Sequence, residues 1–253
     1  MTHPDPELHA RRASSFGEQA AEYATHRPDY PASAIDWVLP RRAEHVLDLA
    51  AGTGKLTGSL LARGLRVTAV EPDNAMLAEL GERFPEATAL IGTAEQIPLA
   101  DREVDAVLVG QAFHWFDVPK ALTEIGRVLR PGGVLGVLWN HEDQRVAWVS
   151  GFEDLIRTGA SRAWTAPTPL PDDHPVFEPF EQQEFDHSFR RTAEGLAATV
   201  GTQSHMLVVS EEERAATTKR LLAYLHNQPE TAHGEFDFPL RTLVLRAYRK
   251  NPA

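Results

Sequence analysis

Residues 48–58 read Asp48-Leu-Ala-Ala-Gly52-Thr-Gly54-Lys-Leu-Thr57-Gly58, a run able to bring backbone close to a ligand. Gly52 and Gly54 have no Cβ, so the chain can turn sharply there, and a helix starting after them offers its free N–H groups. Alone, the pattern fits a strand-to-helix turn without a ligand, a dinucleotide cradle, or a site for another nucleoside. The dinucleotide fingerprint G-x-G-x-x-G wants glycine three places after Gly54, where Thr57 stands; Gly58 comes one place late. A pyrophosphate cradle is therefore poorly made. Glu71 follows Gly52 by 19 residues. There a carboxylate can accept both hydroxyls of a ribose, or stand as a solvated acid at a strand end.

Such residues act together only if regular elements set them side by side. Short β-branched or Leu-rich runs at 45–50, 66–71, 88–92, 104–109 and 134–139 read as strands buried on both faces. Helix-length segments near 55–63, 73–83 and 118–129 separate them, which predicts a parallel, doubly wound sheet with right-handed crossovers. Ligands of such sheets bind outside the carboxyl ends of the strands, where Asp48, Gly52, Glu71, Ala94 and Gln111 fall. Pro131-Gly132-Gly133 marks a turn into the fifth strand. Beyond Asn140 the alternation loosens: a helix near 144–159, a connection at 166–179 with five prolines, strands at 183–191 and 236–248, and a helical turn near 192–200. Ser210 with Glu213 forms a capping box that opens one more helix.

The chain has 253 residues, enough for one large α/β domain, and its 42% hydrophobic content supports a sizeable core. A formal charge of -11 works against polyanionic partners, and the basic clusters Arg11-Arg12, Arg41-Arg42 and Arg190-Arg191 are only pairs. Nucleic acid is not expected as a substrate. Without cysteine there is no disulfide, thiolate metal site or thiol nucleophile. The histidines show no metal-ligand spacing, so no metal is expected. No run approaches the roughly 18 apolar residues of a spanning helix, and residues 1–15 lack the apolar stretch of a signal peptide. The expectation is a cytoplasmic protein without a membrane partner.

In order and spacing, "VLDLAAGTGKLT", "VTAVEPDNAML", "GTAEQIPL", "VDAVLVGQAFHWF" and "RVLRPGGVLGVLWN" resemble the motif run of class I S-adenosylmethionine methyltransferases. The small-molecule branch that includes trans-aconitate methyltransferase-like proteins is the more specific likeness. It covers residues 16–140 well, including "FGEQAAEYATHRPDYP" at 16–31, and the last third only in outline. The resemblance implies a Rossmann-like, doubly wound, mostly parallel seven-stranded sheet with a small helical cap or lid. Residues 1–14 would be a tail and 15–253 one domain. Within it, 15–140 would bind the cofactor, about 140–235 would form a variable acceptor-side cap, and 236–248 would complete the sheet. One departure is Ala50, where the family's first motif often has glycine; a Gly-only backbone angle would be costly there.

S-adenosylmethionine carries a sulfonium, an ammonium and a carboxylate but no phosphate, so its site needs small residues and acceptors rather than basic groups. By resemblance, Asp48, Gly52 and Gly54 surround the methionine end, with Asp48 ordering the loop or receiving the ammonium. Glu71 holds the ribose, Ala94 and Glu95 read the adenine, Pro72 and Met76 wall it, and Gln111 lies under the methionine part. Tyr23 and Arg27 come from the N-terminal segment, Arg27 facing the cofactor carboxylate. This segment and 166–179 are expected to form a mobile cover.

His114 follows the fourth strand, where the acceptor should approach, and either serves as general base or only shapes the pocket. A carboxylate or enolate acceptor would need no base. Of the aromatic residues, Trp115 is the candidate for the acceptor pocket. Two other functions stay open at this point: an NAD(P)-dependent oxidoreductase on the same sheet, and a non-catalytic S-adenosylmethionine binder. The acceptor atom and the oligomeric state are not legible.

Overall fold

The structure, a computed structural model, describes residues 27–156, 174–201, 203, 206 and 208–251. Its strands form one seven-stranded sheet in the order β3-β2-β1-β4-β5-β7-β6. β1 (His45–Leu49) lies inside the sheet, paired in parallel with β2 (Arg66–Glu71) and with β4 (Val104–Gly110). β3 (Thr88–Ile91) adds in parallel to β2, and β5 (Leu129–Glu142) to β4. All five residues of β1 are buried, as expected of a strand covered by helices on both faces. The order reverses between β1 and β4, and at such a switch point the flanking loops part to leave a crevice.

Among the described residues, 29–140, 174–185 and 242–251 make one compact unit; 27–28, 141–156 and the described part of 186–241 make another. In the first, α1 (Ala32–Val38), α2 (Lys55–Leu61), α3 (Asn74–Arg83) and α4 (Val118–Val128) accompany the parallel strands. Asp73 starts α3 by accepting from the backbone N–H groups of Ala75 and Met76, an N-cap that removes two orphan donors. Pro119 sits in the first turn of α4, where its missing N–H costs nothing.

The other unit contains α5 (Ala147–Ile156), α6 (Ala193–Gly201) and α7 (Glu211–His226), with parts of β6 (Glu181–Arg191) and β7 (Phe236–Tyr248). Trp148, Phe152, Phe236 and Phe238 form its aromatic core. Tyr224 of α7 donates its hydroxyl to Trp148 O at 2.8 Å, passing over Gly151, where a Cβ would stand 2.5 Å from that oxygen. Ser210 Oγ accepts from Glu213 N, the forward half of the capping box.

Two expectations change, and one element is new. Pro131-Gly132-Gly133 is not a turn before the fifth strand but an excursion inside it: Val104 pairs with Leu129 and Ala106 with Val134. Gly132 takes φ +73 there, and Gly133 O accepts from Arg249 N. The helix α1 has no counterpart among the expected elements. Finally, 174–179 is bound to its unit rather than free to cover a site. Phe177 is fully buried and bridges Arg249, Glu178 N donates to Tyr248 O, and Lys250 N donates to Val176 O. Residues 166–173 lie outside the described residues. No described helix is long and apolar enough to cross a membrane.

Candidate cofactor and active site

Past β1 the chain enters the left-handed region at Ala50 (φ +57), Gly52 (φ +56) and Gly54 (φ +86). Ala50 therefore adopts the angle judged costly for it, and the loop carries that strain. Ala51 N donates to Val70 O, and Gly52 N donates to Glu71 Oε2 at 2.9 Å. Glu71 Oε1 accepts from Asp73 N at 3.0 Å. The carboxylate thus clamps the glycine loop to the start of the β2–α3 turn, and one lone pair on each oxygen is left for a further donor. Burial pushes the Glu71 carboxyl above its usual range, against the pull of those two N–H groups.

Asp48 lies beneath the loop with only 1% of its surface exposed. Thr57 Oγ1, in the first turns of α2, donates to Asp48 Oδ2 at 2.6 Å. Burial raises the Asp48 carboxyl to about 7, with Thr57 opposing and the nearby Glu71 charge adding. Met76 is buried, and a Cβ placed on Gly52 would stand 3.8 Å from its sulfur. Pro72 is exposed. A Cβ on Gly54 or on Gly58 would meet the Phe84 ring at 2.7 Å, so both glycines seat that ring on the N-terminal half of α2.

Ala94 is buried in the main core, and Glu95 beside it accepts from Asp117 N at 2.8 Å just before α4. After β4, Gln111 holds φ +59, donating its backbone N–H to Leu138 O and its side-chain amide to Asn140 O at 2.9 Å. His114 and Trp115 lie in a 3-10 turn (Phe113–Trp115); His114 is exposed, Trp115 half-buried, and their rings are 4.6 Å apart. Asp48, Gly52, Gly54, Glu71, Pro72, Met76, Ala94, Glu95, Gln111, His114 and Trp115 all belong to the unit built on the parallel strands. Arg27 is half-buried and belongs to the other unit, and Tyr23 lies outside the described residues. Among the described residues no three His, Asp or Glu side chains group as a metal site.

Residues 47–137 match the family model of a methyltransferase domain. An uncharacterized methyltransferase of Mycobacterium tuberculosis is 40% identical over 237 residues, spanning 92% of this chain and 95% of that protein. The chain belongs to the class I S-adenosylmethionine-dependent methyltransferases. A ubiquinone/menaquinone biosynthesis C-methyltransferase of Paracoccus denitrificans is 37% identical over 113 residues, 41% of this chain and 45% of that one. A solved structure described as a type II methyltransferase, from Anaeromyxobacter dehalogenans, matches with TM-score 0.62 and 25% identity over 90% of this chain and 99% of that one. The protein is a methyl-transferring enzyme whose cofactor is S-adenosylmethionine.

The methyltransferase's own residues suit that cofactor. Thr53 Oγ1, at the centre of the loop, is buried and has no hydrogen-bond partner among the described residues. The loop that carries it is flanked by the acceptors Asp48 and Glu71 and by residues without bulk, which suits a cationic nucleoside without phosphate. Lys55, the nearest ammonium in sequence, is paired with Asp29 at 3.2 Å. Sequence reading missed Thr57, Thr53, Asn140 and the Asp29–Lys55 pair. Asn140 was reachable, because it stands near the carboxyl end of β5, in the row from which the other site residues were taken. Thr57 carries no such signal; its hydroxyl matters only because α2 turns it toward Asp48.

Proposed function

We propose that this methyltransferase binds its cofactor over the Gly52-Thr53-Gly54 loop and methylates a small molecule in the cytoplasm. The observation that carries the cofactor placement is Glu71. It is buried, fixed by two backbone N–H groups, and offers a remaining lone pair on each oxygen to the ribose hydroxyls. The bound cofactor supplies an electrophilic methyl group on a sulfonium. Asp48 contributes negative charge beneath the methionine end once it ionises, near pH 7; Ala94 N–H and Glu95 address the adenine, and Met76 and Pro72 flank it. Gln111 supports the methionine part. In this reading 15–140 is the cofactor-binding part of a single domain, and about 140–235 shapes the acceptor side.

Three features support a small acceptor. The charge of -11 opposes a polyanion. The relative from Paracoccus denitrificans is named for quinone biosynthesis, where a carbon atom is methylated. The motif run resembles the trans-aconitate methyltransferase-like branch. If the acceptor is an O–H or N–H group, its proton must leave as the methyl arrives. His114, exposed after β4, is the residue to take it. If it is a carboxylate or enolate, alignment alone suffices and His114 lines the pocket with Trp115.

Transfer of labelled methyl from S-adenosylmethionine to a panel of carboxylates, phenols, amines and quinol precursors tests the acceptor, with short nucleic acids and peptides as controls. Labelling of a small molecule is expected. Labelling of a macromolecule alone would overturn the acceptor class.

A further inference from the structure

Asn140 has every side-chain polar group in use. Its Nδ2 donates to Asp29 O at 3.1 Å, and its Oδ1 accepts from Thr242 Oγ1 at 2.6 Å. Its backbone carbonyl accepts from Gln111 Nε2 at 2.9 Å. Gln111 is a non-glycine residue at φ +59, a conformation that persists only where surrounding bonds enforce it. The enforcing bonds are those to Leu138 O and to Asn140 O.

The segment that Asn140 holds crosses the carboxyl ends of the strands. Asp29 pairs through its carboxylate with Lys55, the first residue of α2 after Gly54. Tyr30 presses its ring and hydroxyl on Gly110, the last residue of β4, where a Cβ would collide with it. Residues 29–30 therefore touch the end of the glycine loop, the end of β4 and, through Asn140, the end of β5.

We propose that Asn140 is a positioning residue that ties the Gln111 side of the cofactor site to the Asp29–Tyr30 segment, so that holding the cofactor and holding this segment are one event. It rests on the placement of the cofactor over the Gly52-Thr53-Gly54 loop. Binding that orders Gln111 strengthens the contact of its amide with the Asn140 backbone carbonyl, and the Asn140 side-chain amide in turn fixes Asp29 O. Loss of the Asp29 contact loosens both.

Asn140→Asp is the sharp variant. It keeps the shape, the acceptor for Thr242 and the backbone carbonyl for Gln111, but sets a carboxylate oxygen against Asp29 O where an N–H had donated. Thr242→Val removes the other contact and leaves the segment held. S-adenosylhomocysteine is the probe, because its uncharged sulfur is not drawn to the new carboxylate. Calorimetry with the full chain should show N140D weakened about tenfold, the loss of one useful hydrogen bond. Amide exchange over 29–35 should be faster in N140D and no longer slowed by the probe. T242V should lower Tm and weaken binding less than N140D does.

Equal affinity of N140D and the parent, with equal exchange over 29–35, would overturn the proposal while leaving the cofactor placement intact. No binding by the parent would overturn the placement and this proposal together. If N140D does not fold, Lys55→Met releases the same segment from its other side. Weaker binding with faster exchange at 29–35 then supports the coupling, and unchanged values overturn it.

Discussion

Thr57 Oγ1 donates a 2.6 Å hydrogen bond to Asp48 Oδ2, and both residues are almost wholly buried. The hydroxyl and backbone N–H of Thr57 are a small counterweight to the loss of water around a carboxylate, so the acid holds its proton up to about pH 7. The unfolded chain releases the same proton at about 4. Between those values the folded state binds more protons. The contribution of Asp48 to stability is full below about 4 and is lost as the pH rises through about 7, at no more than ~1.4 kcal/mol per pH unit.

Asp48→Asn keeps the acceptor for Thr57 and removes the titration. In urea denaturation without cofactor, the variant should gain on the parent as pH goes from 5 to 8, by roughly 1 kcal/mol or more. The comparison cancels Asp143 and Asp105, whose depressed values, set by Arg145 and by the N–H groups of Glu44 and His45, tilt stability the other way. The same gap at both pH values would remove Asp48 as the titrating group.

Ala50 at φ +57 gives a second test. A left-handed alanine costs roughly 1–2 kcal/mol, while glycine adds about 0.4–1 kcal/mol of unfolded-state entropy. Ala50→Gly should therefore stabilise by up to ~1 kcal/mol, and Ala50→Val should destabilise, since a β-branched side chain resists this region further. Urea midpoints decide it. A loss of stability with glycine would mean that the methyl group's packing outweighs the strain.

The parallel half of the sheet was legible because buried strands leave unbroken apolar runs, and β1, β2 and β4 fall within a residue of their expected limits. The glycine loop and Glu71 were legible because spacing alone sets them at adjacent strand ends. What escaped depends on contacts far apart in sequence. Asn140 reaches back 111 residues to Asp29 and forward 102 to Thr242. The Pro131-Gly132-Gly133 excursion reads as a turn until Arg249 is seen to pair with Gly133. Tyr23 cannot be compared, because it lies outside the described residues.

Glu71→Gln tests the ribose contact. The amide keeps the volume and one acceptor, but it exchanges a charged acceptor for a donor, and hydrogen bonds to charged groups are worth roughly 1.5–3 kcal/mol. Binding of S-adenosylhomocysteine, measured by calorimetry with EDTA present, should weaken by about 10- to 150-fold. A thermal melt without ligand must first show that the variant is folded, because Glu71 also supports Gly52 and Asp73. A folded variant with the parental dissociation constant would end the ribose assignment.

Gly58 looked like a misplaced third glycine of a phosphate loop, and the structure gives it another task. A Cβ there would lie 2.7 Å from Phe84, and one on Gly54 would meet the same ring. Helix propensity favours Gly58→Ala by about 1 kcal/mol, yet overpacking against a ring typically costs ~1–3 kcal/mol. The clash should win, lowering stability by roughly 1 kcal/mol with S-adenosylhomocysteine affinity almost unchanged. Phe84→Leu removes the ring that the new methyl meets, so the double variant should recover much of the loss from the alanine. Additive losses in that cycle, measured by urea denaturation, would show that Gly58 and Phe84 do not interact. A large drop in affinity from Gly58→Ala at full stability would instead place this glycine at the cofactor.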